Sequence, residues 1–260
     1  MMYFDAHFHL VPSVEQCGKE VLLDFYKGNN YAITCAHNPD EFIEQDFFIK
    51  KNELEENIIQ AFGIHPQLPM MINSAFLENL LKNKKIKLIG ETGFDFFTED
   101  FKAKKKEQNE AFHLSLELAA SYNVPIVIHN RKGLDEMLKN TKELSKVPLV
   151  LFHSFAFSSR EALSILNHNV NAVFSFSKQI LNGNKKSLSC VQELPLDKIF
   201  LETDAPFQTL KGESFTNPSE IQRIYSAAAE IKKMSLESFC NEIGDNFKRI
   251  VTIQHLKSKA

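Results

Sequence analysis

Six residues spread along the chain carry side chains that bind first-row divalent metals: His7, His9, Glu91, His129, His153 and Asp204. His7 and His9 stand one residue apart in the apolar stretch "YFDAHFHL". On a strand, positions i and i+2 point to the same face, so one ion can meet both rings. A single histidine of this kind is more often a hydrogen-bonded core residue than a ligand, and it is the combination that points to chemistry. Six ligands exceed the roughly three or four that one tetrahedral zinc takes. They suit two ions about 3.5–4 Å apart that share a bridging group. A carboxylate can bridge, which makes Glu91 the natural shared ligand. An acid beside a metal-activated water can accept its proton, and Asp204 is the best-placed candidate. The catalytic expectation is therefore Glu91 and Asp204, and the chemistry is hydrolysis of a phosphoester, amide or ester.

Those residues need a scaffold that brings distant positions together. The chain repeats a short apolar run followed by a longer helical stretch. The runs are "MYFDAH" (2–7), "YAITCA" (31–36), "IIQAFGI" (58–64), "IKLIGE" (86–91), "VPIVIH" (124–129), "VPLVLFH" (147–153), "NAVFSF" (171–176) and "KIFLET" (198–203). None alternates with polar residues, the pattern of strands buried on both faces of a parallel sheet. The clearest helix spans about Glu107 to Tyr122, with Ala111, Leu114, Leu118 and Ala119 at helical spacing. A second runs from about Pro218 to Ile231, with Asn217 as its N-cap. Shorter ones follow Val14, Asp40, Phe76, Leu134, Ser159 and Lys185.

Eight such units predict an α/β fold, a TIM (β/α)8 barrel, with residues 1–260 as a single domain. A doubly wound open sheet is the alternative, but the Gly-rich first turn usual there is absent. Barrel sites are built at the C-terminal ends of the strands. His7 and His9 close run one, Glu91 run four, His129 run five and His153 run six, and Asp204 follows run eight. The other histidines, His37, His65, His113, His168 and His255, fall mostly in loops or helices.

Composition narrows the class. Hydrophobic residues make up 43% and charged residues 24%, enough apolar material for a core without staples. The 23 Phe and absence of Trp imply that Phe fills that core. Net charge is −3, so a nucleic-acid partner would have to meet a local basic surface. Cys17, Cys35, Cys190 and Cys240 include no C-x-x-C pair, which predicts free thiols in a reducing cytosol. No run is long enough to span a bilayer and no signal peptide is evident, so the expectation is a cytoplasmic protein with no membrane partner. Oligomeric state is not legible.

The segments "DAHFHL", "GIHPQ", "GETGFDFF", "IHNRKG", "FHSF" and "LETDAPF", in this order, resemble the TatD family of metal-dependent deoxyribonucleases, within the amidohydrolase-like barrels. "EQNEAFHLSLELA" resembles that family's helix after the Glu motif. The resemblance spans about residues 3–250. It implies a TIM barrel that holds divalent ions and cleaves DNA phosphodiesters, acting on single strands or 3′ ends. Carried over by motif, His7, His9, Glu91 and Asp204 would hold one ion, and Glu91, His129 and His153 a second. His and carboxylate ligands leave Zn, Mn, Mg or Ni open. His65 and Arg131 would contact the substrate phosphate, although His65 equally suits a loop-capping role. Asp95 and Glu202 would orient ligands or serve as structural hydrogen-bonding acids. Asp5, on the face of His7 and His9, would support that pair or be a buried structural acid. Two departures concern substrate preference: Phe157 stands where the family usually has a small residue, and "GESFTNPSE" replaces the usual stretch after "DAPF", keeping only Asn217 and Pro218.

Lysines cluster in "KNKKIK" (82–87), "FKAKKKEQ" (101–108) and "NGNKKS" (182–187). The first precedes run four and belongs at the far end of the barrel. The other two, with Arg131, Lys132 and Lys178, belong to the ligand-bearing rim, where local cations suit a phosphate backbone. Phe96, Phe97 and Phe157 there could stack on bases or simply pack the loops. The alternative enzyme is a two-metal amidohydrolase acting on a small phosphoester, amide or lactone. Related barrels of that kind bridge their metals with a carboxylated lysine on strand four, where this chain has Glu91. PHP phosphoesterases also begin with His-x-His but end in Asp-x-His, which "ETDAP" lacks. A non-catalytic adaptor barrel would be expected to lose ligands, and all six are present.

Overall fold

The computed structural model describes residues 1–253, with side chains to residue 248; His255 lies outside the described residues. Eight parallel strands follow in chain order around one sheet: β1 Phe4–Phe8, β2 Tyr31–Ala36, β3 Ile58–Phe62, β4 Leu88–Asp95, β5 Ile126–Arg131, β6 Val150–Phe152, β7 Ala172–Phe176 and β8 Ile199–Leu201. Helices lie between successive strands, and the fold is a (β/α)8 barrel.

No regular ladder joins β8 to β1, and other bonds close that seam. The Asp204 N–H donates to the His7 carbonyl at 3.0 Å, and the His9 N–H to the Ala205 carbonyl at 2.8 Å. The buried Asp5 carboxyl accepts from the Thr203 N–H at 2.9 Å and bonds the Thr203 hydroxyl at 2.6 Å. The Tyr225 hydroxyl serves both backbone groups of Phe4, accepting at 3.2 Å and donating at 2.9 Å. Asp5 is thus the structural acid that stitches first strand to last.

Phenylalanine fills the core as composition implies: Phe4, Phe8, Phe62, Phe94, Phe152, Phe174, Phe176 and Phe200 are fully buried. Each such ring stabilises the fold by about 2–3 kcal/mol relative to exposure.

The strand ends differ from expectation in ways that matter to the site. β4 runs four residues beyond Glu91, to Asp95, with a register shift between Ile89 and Thr92. Gly93 permits this: its φ is +135°, and a Cβ there would stand 2.1 Å from the His129 carbonyl oxygen. β6 and β8 are shorter than their apolar runs, so His153 and Asp204 stand just past them in the mouth. Asp204 has φ 54°, in the left-handed region that short polar side chains tolerate.

The two clear helices form at Lys105–Tyr122 and, after a Pro218–Glu220 3-10 turn capped by Asn217, at Ile221–Lys232. A further helix, not expected from the sequence, forms at Leu236–Ile253. Its buried Phe239, Cys240, Ile243 and Phe247 have helical spacing, interrupted to the eye by Gly244 and polar neighbours. No described helix is long and apolar enough to cross a membrane, and Cys17, Cys35, Cys190 and Cys240 are free.

Candidate metal centre and active site

Glu91 is the hub of the barrel mouth. It is 1% exposed, and each of its oxygens faces three imidazoles. Oε1 lies 2.8 Å from His37 Nε2, 3.2 Å from His7 Nε2 and 3.7 Å from His9 Nε2. Oε2 lies 2.7 Å from His153 Nε2, 3.5 Å from His129 Nδ1 and 3.7 Å from His65 Nε2. Asp204 completes the first half, with Oδ1 3.3 Å from His9 Nε2 and 3.7 Å from His7 Nε2. All six expected ligands meet here, and His65 joins them.

The donor set fits divalent ions. His7, His9 and Asp204 form one compact group, and Glu91, His129 and His153 another, each with its ligand atoms within 4.8 Å of one another. The His7 and His9 Nε2 atoms are 3.2 Å apart, and His129 Nδ1 is 3.1 Å from His153 Nε2. Two nitrogens each about 2.1 Å from a shared ion would stand at roughly that separation. Without a cation or a shared proton, their lone pairs would repel.

Neighbouring acids set the tautomers. His129 Nε2 bonds Asp95 Oδ2 at 3.0 Å, so Nδ1 is free to face the centre. Gln67 donates to the same oxygen at 2.9 Å, and the Phe97 N–H to Asp95 Oδ1 at 2.9 Å. Burial alone would raise the Asp95 carboxyl, but these bonds bring it down to about 2. His153 Nδ1 faces Glu202 Oε1 at 3.6 Å, leaving Nε2 for the centre. The Ser175 hydroxyl donates to the other Glu202 oxygen. Asp95 and Glu202 therefore orient histidines, as ligand-supporting acids do.

Charge is concentrated within this pocket. Burial opposes ionisation of Glu91, yet the charges of His7 and His153 and bonds from His129 and His153 hold its carboxyl well below the usual range. Burial disfavours the His153 cation, but Glu91 and Glu202 push its pKa well above 6.5. Burial likewise works against His9 and His129, whose carboxylate partners nonetheless raise them. For His7 burial prevails and the pKa falls. His65 drops to about 3, chiefly through burial, and is neutral at physiological pH. Its Nδ1 accepts the Gln67 N–H at 3.3 Å, so its proton sits on Nε2.

His37, expected among the loop and helix histidines, lies against Glu91. The signal was available: His37 directly follows β2, the strand-end position used for the other ligands. His37, His65 and Glu91 form a further compact group.

The rim also differs from expectation. Lys178 is 1% exposed and donates to Glu213, with the Thr216 hydroxyl at 3.4 Å and Glu220 at 3.8 Å, so it is a structural cation that pins the segment after β8. Lys104 donates to the Gln67 carbonyl at 3.0 Å, and Lys105 pairs with Glu136 at 2.7 Å. Arg131 lies over Phe97, with Cζ 3.4 Å from the ring centroid, and Lys132 Nζ is 4.6 Å from it. Phe96 packs beside Phe94, and Phe157 beside Phe155. The mouth holds a cavity of about 560 Å³ lined by site histidines, Glu91, Asp204, Arg131 and the unanticipated Phe207.

A parallel barrel with a histidine–carboxylate cluster at the C-terminal ends of its strands defines the class of metal-dependent hydrolase barrels. The profile of the family described as TatD related DNase matches residues 4–252, and the chain belongs to that family. It is 30% identical to an uncharacterized metal-dependent hydrolase, YabD, of Bacillus subtilis, over 97% of this chain and 100% of that one. It is 26% identical to Deoxyribonuclease TATDN3 of Homo sapiens, over 98% and 97% of the two chains. The crystal structure of YjjV, a TatD homologue from Escherichia coli, superposes with a TM-score of 0.81 at 21% identity, covering 95% of this chain and 97% of that one.

Proposed function

We propose that the protein is a divalent-metal-dependent hydrolase that cleaves DNA phosphodiester bonds, acting on single strands or 3′ ends. The observation that carries this reading is Glu91, buried between two sets of imidazoles with one oxygen turned to each. In this reading His7, His9, Glu91 and Asp204 hold one ion, and Glu91, His129 and His153 hold a second. Bound ions would supply Lewis-acid polarisation of the phosphate and a water of lowered pKa.

The chain's own groups do the rest. Burial works against the Asp204 anion, but His9 and the charges of His7 and His153 lower its pKa, so it is a carboxylate at neutral pH, able to accept a proton from the attacking water. His65, neutral with its proton on Nε2, is a hydrogen-bond donor for a phosphate oxygen. Arg131 carries a planar fork suited to the same group, held by Phe97. The family and the human relative named as a deoxyribonuclease support a DNA substrate.

Purified protein with Mg2+, Mn2+ or Zn2+ is expected to release nucleotides from single-stranded DNA, with EDTA stopping the release and Asp204→Asn removing turnover while the fold persists. Hydrolysis of small phosphoesters, amides or lactones without action on DNA would replace this reading with the amidohydrolase one.

A further inference from the structure

Two large aromatic rings stay in solvent at the rim of the site. Phe207 is 52% exposed and Phe97 is 47% exposed. Single exposed apolar residues are ordinary, Phe47 at 62% among them, and what sets these two rings apart is their place at the mouth of the site. Neither ring hangs on a loose segment. The Phe207 N–H donates to the Asp204 carbonyl at 2.7 Å, and the Thr216 N–H to the adjoining Pro206 carbonyl at 2.8 Å. The next residue, Gln208, donates to the Ser154 hydroxyl at 3.0 Å. The Phe97 N–H is held by Asp95 Oδ1 at 2.9 Å. The backbone of each residue is thus tied to an acid of the site.

Phe207 and Arg131 both line the mouth cavity, and Phe97 lies against the Arg131 guanidinium. Phe207 meets the His9 ring edge-on, with centroids 5.0 Å apart, at the β8–β1 side. Arg131 is the last residue of β5 and Phe97 lies just past β4, halfway round the order of eight strands. That cavity has a volume of about 560 Å³.

We infer that Phe207 and the Phe97–Arg131 stack are base-stacking platforms, which grip unpaired nucleotides on either side of the bond to be cut. This rests on the DNA reading above and adds the residues that make the enzyme select unpaired strands. Rings of this kind tolerate any base, because every base offers a π face, and an Arg plane stacked on an aromatic ring extends the platform. A duplex keeps its bases stacked on one another and offers no free faces here.

The test is steady-state cleavage of oligo(dT) and of a mixed-sequence single strand by Phe207→Ala and Phe97→Ala. Each is expected to raise KM about ten-fold, the loss of one stacked base. Phe207→Tyr should restore KM to within about two-fold of wild type, whereas Phe207→Leu, which keeps apolar bulk against His9 without a π face, should behave as Phe207→Ala. Wild-type KM in Phe207→Ala, or full rescue by Phe207→Leu, would overturn the inference while leaving DNA cleavage intact. A wild-type enzyme that cleaves no DNA would instead fail the function proposed above, and this inference with it.

Discussion

His153 Nδ1 and Glu202 Oε1 face each other at 3.6 Å, both buried and neither with a hydrogen-bond partner elsewhere. The pair holds the His153 ring with Nε2 turned to Glu91 at 2.7 Å. Carboxylates in this position fix the tautomer of a ligating histidine and raise its basicity. Glu202→Gln is therefore expected to weaken divalent-metal affinity about 10–100-fold with the fold retained, measured by competition with a chromophoric chelator. Unchanged affinity would show that Glu202 is structural only.

His37 is the histidine that sequence spacing passes over, and it lies 2.8 Å from the hub carboxylate. Its removal leaves one face of Glu91 Oε1 without a partner. His37→Ala is expected to lower hydrolysis at least about ten-fold, the scale on which a group supporting a metal centre acts. Circular dichroism should show the same fold. Full activity in this variant would place His37 outside the working centre.

The raised His153 pKa sets the sign of a pH effect. Its metal-free ring keeps a proton at neutral pH, because Glu91 and Glu202 outweigh its burial. An ion needs bare Nε2, so loading must expel that proton. Affinity should rise as pH climbs from about 6.5 toward the raised value, since proton competition fades. Calorimetry of Zn2+ binding in buffers of differing ionisation enthalpy should reveal proton release. Heats that do not depend on buffer would contradict the expectation.

The barrel seam offers a stability test away from the metals. Asp5 takes both polar groups of Thr203. Asp5→Ala leaves the buried Thr203 N–H without a partner and its hydroxyl, which still accepts from the Ala205 N–H, without an acceptor, a loss of about 2–4 kcal/mol. Asp5→Asn retains an acceptor and should lose clearly less. Urea unfolding monitored by tyrosine fluorescence separates the two, and equal midpoints would remove Asp5 from the seam.

Much of the site was legible because it depends on period and position. Buried parallel strands leave continuous apolar runs, and a barrel puts whatever follows each run at one mouth, so His7, His9, Glu91, His129, His153 and Asp204 stood out from type and place alone. Other features were hidden by the signals that normally help. The polar, glycine-containing "ETGFD" disguised the continuation of β4, which the close approach of Gly93 to His129 makes possible. Lys178 reads as a surface cation until Glu213, about one helix and one strand later, folds back onto it.

The sequence by itself determined the fold, the eight-unit order and the candidate ligand types, because these follow from local periodicity and from which residues end each run. The tertiary structure alone decided how those side chains come together around Glu91. Which oxygen of Glu91 faces which ring, which nitrogen each histidine turns inward, and which phenylalanines stay exposed all depend on distances between residues far apart in the chain, and no local pattern encodes such distances.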